Sequence, residues 1–179
     1  MGLFDRFKKA AQATQAAQSA APAGVEANAA SGVVCAPVSG RVVAMKDVPD
    51  PVFSSEALGP GCGIWPDGEM VYAPVTGTVS VMMGHAMGIV SDDGVEVLVH
   101  VGLDTVDMNG KGFTPYAKKN DHVSVGQPIL GFSRKEIADS GHKDVVILAV
   151  TNGASYGSVD LIAEPDSSVA VGEQVVRAS

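Results

Sequence analysis

The stretch Gly94 to Val106, GVEVLVHVGLDTV, alternates apolar and other side chains with a period of two. The alternation puts Val95, Val97, Val99, Val101 and Leu103 on one face, and Glu96, Leu98, His100, Gly102 and Asp104 on the other. This is a β-strand with one face in a core, and a single imidazole, His100, lies on the second face. Gly102 is the next residue on that face, about 7 Å along the strand. Its missing side chain is expected to leave room for a group to approach His100, or to mark a bulge.

Outward from this strand the chain repeats itself. Ala36-Pro37-Val38-Ser39-Gly40-Arg41-Val42 returns as Ala73-Pro74-Val75-Thr76-Gly77-Thr78-Val79, and Val123-Ser124-Val125-Gly126 returns as Val169-Ala170-Val171-Gly172. Short β-branched runs separated by Gly and Pro fill the space between, so the expected fold is all-β: a barrel-like antiparallel β-sandwich built from two related motifs. Glycines at matched places supply positive φ or a bulge at its corners. Helix is confined to Ser133–Ser140 and to a turn at Ser55–Leu58. The folded domain is expected to span 33–179. Residues 10–32, rich in Ala, Gln, Ser and Gly, read as a flexible tether. Residues 1–9 form a short amphipathic segment, with Leu3, Phe4 and Phe7 beside Arg6, Lys8 and Lys9, suited to weak contact with an anionic membrane.

Composition narrows the function. A formal charge of -8 argues against a nucleic-acid partner, because phosphate binding needs clustered Lys and Arg. Two cysteines, Cys35 and Cys62, are too few for a disulfide framework and suit a reducing compartment as small buried hydrophobes. The sequence contains no run of 18 apolar residues and no secretory h-region, and Arg6 breaks the N-myristoylation pattern. The expected location is the cytoplasm, at most peripheral to the inner face of the membrane.

His85 bears on the role of His100. A hairpin closed by Ser91-Asp92-Asp93-Gly94 sets the two histidines on neighbouring strands, where side chains face one another across about 5 Å. Such a pair suits a metal, or proton and phosphoryl chemistry, whereas by spacing alone His100 reads first as a structural histidine. His122 and His142 lie elsewhere, no H-x-H occurs and no third ligand stands at a fixed metal-site spacing, so no intrinsic metal and no cofactor are expected. His85 and His100 supply at most a zinc shared with a partner. A neutral His100 in an apolar setting is a competent nucleophile, provided that one ring N–H is held and the other nitrogen is left free.

Together, VEVLVHVGLDTV, the upstream GHA, DVPDPVF (Asp47 to Phe53), APVTGTV and KGF (Lys111 to Phe113) resemble the glucose-type IIA component of the bacterial phosphoenolpyruvate-dependent sugar phosphotransferase system, from about Val33 to Arg177. MGLFDRFKK is similar to the N-terminus of free-standing members. The resemblance implies that His100 is phosphorylated and that His85 holds the phosphoryl group. It implies delivery by the histidine phosphocarrier protein HPr and onward transfer to a IIB domain of a sugar permease of the glucose or N-acetylglucosamine class. It makes Asp50 and Asp104 acidic contacts for the phosphocarrier, and Val52, Phe53, Met87 and Val106 an apolar docking collar. Met83 departs from the family, which has a threonine there; Ser91 or a water is the expected substitute. The alternatives are a regulatory binding protein of this family, a biotin or lipoyl module using Lys46, and a lysostaphin-like zinc peptidase.

Overall fold

The computed structural model describes residues 21–179; the amphipathic segment with Leu3, Phe4 and Phe7 lies outside the described residues. The strands are β1 (Val33–Cys35), β2 (Gly40–Ala44), β3 (Gly61–Pro66), β4 (Met70–Tyr72), β5 (Gly77–Met83), β6 (Ala86–Ser91), β7 (Glu96–Val101), β8 (Phe113–Pro115), β9 (His122–Val123), β10 (Pro128–Phe132), β11 (Val146–Val150), β12 (Val159–Leu161), β13 (Ser168–Val169) and β14 (Gln174–Ala178). Eight of them form one sheet in the order β13-β2-β3-β11-β7-β6-β5-β9; β1-β14-β12 and β4-β10-β8 form two smaller sheets. All pairings are antiparallel. The fold is the expected sandwich, made of open sheets.

The repeats explain the order. The large sheet reads alike outward from its centre between β11 and β7, and matched residues make matched bonds across the two halves. Cys35 N–H donates to Pro74 O and Tyr72 N–H to Pro37 O; Gly172 N–H donates to Ala36 O and Gly126 N–H to Ala73 O. The variable residue of A-P-V-x-G is a hydroxyl in both copies because it accepts from the opposite turn: Ser39 from Val171 N–H at 2.9 Å, Thr76 from Val125 N–H at 3.0 Å. Gly126 and Gly172 take φ of 84° and 88°, as a glycine corner requires.

The chain lies against the domain well before residue 33. Val25 N–H donates to Gly126 O and Asn28 N–H to Gly172 O, each at 2.9 Å. Gly32 N–H and Ser31 Oγ donate to Asp93. Within the expected tether of 10–32, residues 25–32 therefore belong to the folded unit, because these donors pair with corners that both halves expose.

The two faces of the large sheet carry separate cores. Inward, Val42, Ile64, Val79, Ile89, Val97, Val99, Val101 and Leu148 pack in the main cluster; outward, Val43, Met45, Val48, Phe53, Leu103, Val145 and Ile147 form a second. Leu103 thus leaves the face of Val95–Val101, because Gly102 at φ 78° turns the chain and breaks the alternation. Cys35 and Cys62 are buried and free, and burial pushes the Cys62 thiol up to about 12.

One helix spans Arg134–Asp139 behind a Ser133 cap, inside the expected Ser133–Ser140. The second is Pro51–Ser54 rather than Ser55–Leu58: Asp50 accepts from Val52 N–H and Phe53 N–H, and Pro51 at the first helical position starts the turn four residues early. Lys46 is exposed in a 3₁₀ turn, Met45–Asp47, and not in a tight hairpin.

A Cβ on Gly172 would strike the carbonyl of Glu26. Gly172→Ala should cost about 1–3 kcal/mol in urea unfolding, and deleting residues 1–30 from that variant should recover part of the loss. An equal loss with and without the segment would show that it does not press on the corner.

Candidate functional site

β6 and β7 form a hairpin in which Ala86 faces His100. His85 ends the two-residue turn that joins β5 to β6, where Met83 pairs with Ala86. Its carbonyl accepts Val101 N–H at 2.8 Å, so one backbone bond sets the two histidines side by side. Their ring centroids are 4.7 Å apart with the planes at 77°. Phe53 meets His100 edge-on at 5.0 Å, and Phe113 flanks His85 at 6.5 Å. Asp50, by capping Pro51–Ser54, holds Phe53 in that position.

The His100 ring is oriented by its own backbone. Nδ1 lies 2.8 Å from the carbonyl oxygen of Gly102. A carbonyl only accepts, so Nδ1 carries the proton and Nε2 keeps its lone pair. Gly102 is therefore not the expected gap. A Cβ there would overlap the Thr105 methyl and approach Lys143 O to 2.9 Å, so the space is already filled. What the glycine provides is a left-handed turn that brings its carbonyl back to the ring.

Electrostatics favour a neutral ring. Burial, reinforced by the neighbouring His85, lowers the His100 pKa to about 4, against the hydrogen bond to Gly102 and the charges of Asp50 and Asp104. Burial also lowers that of His85. Among the described residues no group of three or more His, Cys, Asp and Glu is placed to hold a metal. The two imidazoles supply two of the four ligands that a zinc site takes. His122 and His142 are paired elsewhere, with Asp92 and Asp107.

Two residues of the expected collar reach the surface, Val52 at 48% and Val106 at 63% exposed. Met87 does not. It is fully buried, because it pairs with Val99 and shares the inward face of the sheet. Phe53 is likewise buried and forms the wall against His100 rather than a surface. Ser91 cannot replace a hydroxyl at position 83. It pairs with Gly77 at the far end of β6, and its Oγ is engaged by Asp93 and Val95 N–H. Met83 is 47% exposed.

A family model described as the phosphoenolpyruvate-dependent sugar phosphotransferase system, EIIA 1, matches residues 32–156. The chain belongs to this glucose-type EIIA family. The chain is 41% identical over 128 residues to the glucose-specific EIICBA component of Staphylococcus carnosus, which covers 70% of this chain and 19% of that protein. It is 37% identical over 129 residues to the mannose-specific EIIBCA component of Corynebacterium glutamicum, covering 71% and 19%. The chain thus spans about a fifth of the length of the curated relatives it matches. Glucose permease IIA from Mycoplasma capricolum superimposes with a TM-score of 0.69 at 30% identity, covering 80% of this chain and 93% of that one.

Against the other features of this EIIA domain, sequence reasoning missed the Gly102 carbonyl and the buried Thr105, whose Oγ1 donates to Val101 O at 2.5 Å. The positive φ of Gly102 and Asp104 was the available signal, and it is legible only once the strand is known to end at Val101.

Unfolded, His100 takes its proton near pH 6.5; folded, only near pH 4. The unfolded chain binds more protons between these values, so this group lowers stability as pH falls from about 6.5 to about 4. NMR titration should show the His100 ring still neutral at pH 5, and His100→Gln should flatten the stability profile in that window. An ordinary titration near 6.5 would contradict the site's polarity.

Proposed function

We propose that His100 carries a phosphoryl group in sugar uptake, accepting it from the histidine phosphocarrier protein HPr and passing it to the IIB domain of a sugar permease of the glucose or N-acetylglucosamine class. The observation that carries this reading is the Nδ1–H bond to Gly102 O, which leaves Nε2 as the only ring atom able to attack. The relatives named as EIIBCA and EIICBA components, which join A to B and C components, support the choice of a IIB acceptor.

In the proposed step the Nε2 lone pair bonds to phosphorus as the P–N bond to the donor imidazole breaks, and no redox change occurs. The phosphorylated ring, still protonated at Nδ1, is cationic. The Gly102 carbonyl and the nearby Asp50 and Asp104, all of which favour charge on this ring, stabilise it. His85 donates a ring N–H to a phosphoryl oxygen. Phe53 and the aliphatic cluster beneath it limit access of water. Transfer to IIB repeats the displacement with a cysteine thiolate as nucleophile, and returns His100 to its neutral form.

The docking face in this reading is Val52 and Val106, flanked by Asp50 and Asp104, which pair with an arginine of the phosphocarrier. The carrier domain is 33–179, and weak membrane contact through Leu3, Phe4 and Phe7 keeps it at the inner face of the membrane in the cytoplasm. Among the described residues no helix is long and apolar enough to cross a membrane.

With phosphoenolpyruvate, enzyme I and the phosphocarrier, the protein should gain one acid-labile adduct of about 80 Da. His100→Gln should abolish it, and labelling of that variant at the normal rate would overturn the assignment. His85→Gln should still accept phosphate at His100 but donate to IIB far more slowly; unchanged donation removes His85 from the mechanism.

A further inference from the structure

The bond that orients His100 depends on a residue that has no side chain of its own to hold it. Gly102, at φ 78°, is the most freely rotating position in the turn that follows β7. The two peptide planes on either side of it must both be fixed if its carbonyl is to stay aimed at Nδ1. On the far side, Leu103 N–H donates to Lys143 O at 2.9 Å; on the near side, Gly102 N–H donates to Val145 O at 2.8 Å. The near plane has one further restraint. The hydroxyl of Thr105 reaches back four residues and donates to Val101 O at 2.5 Å. The Thr105 methyl, meanwhile, fills the place that a Cβ on Gly102 would take.

Thr105 is wholly buried, one of three buried polar side chains among the described residues, with His85 and Ser91. A buried hydroxyl is retained only where it makes its bond, and here that bond ends beside the peptide that carries the His100 acceptor. Burial also prevents it from touching a docking partner. Asp104, immediately before it, takes the left-handed conformation at φ 59° without a side-chain capping bond, so Thr105 is the side chain that closes this turn on itself.

We propose that Thr105 is a positioning residue for phosphoryl transfer: by clamping the Val101–Gly102 peptide with its hydroxyl and filling the Gly102 notch with its methyl, it holds the Gly102 carbonyl on His100 Nδ1 and keeps Nε2 free. This rests on the reading of His100 as the nucleophile, and extends it to the residue that sets the ring tautomer. Thr105→Val keeps the shape and removes the hydroxyl; Thr105→Ser keeps the hydroxyl and removes the methyl.

The test is ¹⁵N NMR of the imidazole of the unphosphorylated full chain, which reports the tautomer directly, beside the initial rate of phosphoryl acceptance from the phosphocarrier. The wild type should show a single tautomer protonated at Nδ1. Thr105→Val should show a share protonated at Nε2 and accept phosphate about five- to tenfold more slowly, as the loss of one hydrogen bond allows. Thr105→Ser should restore most of both. If Thr105→Val does not fold, Thr105→Ala takes its place with the same expected readout. A wild-type tautomer and rate in the variant lacking the hydroxyl overturn the proposal, as does an equal loss of rate in Val and Ser with the tautomer unmoved, which marks packing alone. If the wild type itself is not phosphorylated at His100, the reading of function fails instead; the tautomer spectra still answer the structural question separately.

Discussion

The site depends on a single hydrogen bond, 2.8 Å long, from Nδ1 of His100 to the carbonyl of Gly102. A neutral imidazole has one proton for two nitrogens, so an acceptor placed at one of them decides which can act as a nucleophile. Here the acceptor is backbone, two residues on, and is reachable only because glycine turns the chain back at the strand's end. The rest of the arrangement serves this choice. Val101 N–H, bound to the His85 carbonyl, sets the second imidazole beside the first. Phe53, held by the Asp50 cap, closes one side and keeps the ring in an apolar setting, which disfavours its protonation.

The pseudo-symmetric sheet explains why only one half carries this chemistry. β7 and β11 hold matching places, but β11 presents Val146–Val150, aliphatic and fully buried, whereas β7 ends in His100 and the Gly102 turn. The connections differ too. β5 and β6 are joined by two residues, the second of which is His85. Residues 45–60, between β2 and β3, instead fold over the outer face of the sheet and supply Met45, Val48 and Phe53 to its second core. The longer connection therefore roofs the outer face of the sheet and ends beside His100 at Phe53.

Periodicity and repeats made the sandwich, the inward valines and the adjacency of His85 and His100 legible, because each follows from local alternation or from a short hairpin. The misplacements came where backbone geometry overrides pattern. Alternation carried Leu103 to the wrong face since a left-handed residue precedes it. Gly102 reads as empty space in a sequence, but the space is taken by Thr105 from within the same turn. Met87 lies one residue from the outward Ala86, and a shift of one residue in a strand moves a side chain from surface to core. The early docking of Val25 and Asn28 had no sequence signal, because these two residues bind through their own backbone N–H and C=O groups.

The claim that the Gly102 carbonyl chooses the reactive nitrogen is tested most directly by the isomer of phosphohistidine formed. The ¹H–¹⁵N and ³¹P spectra of the protein phosphorylated through enzyme I and the phosphocarrier distinguish the two ring positions. Phosphorus on Nε2 of His100, with Nδ1 still protonated, is the predicted result. Phosphorus on Nδ1, or on any other residue, contradicts the account.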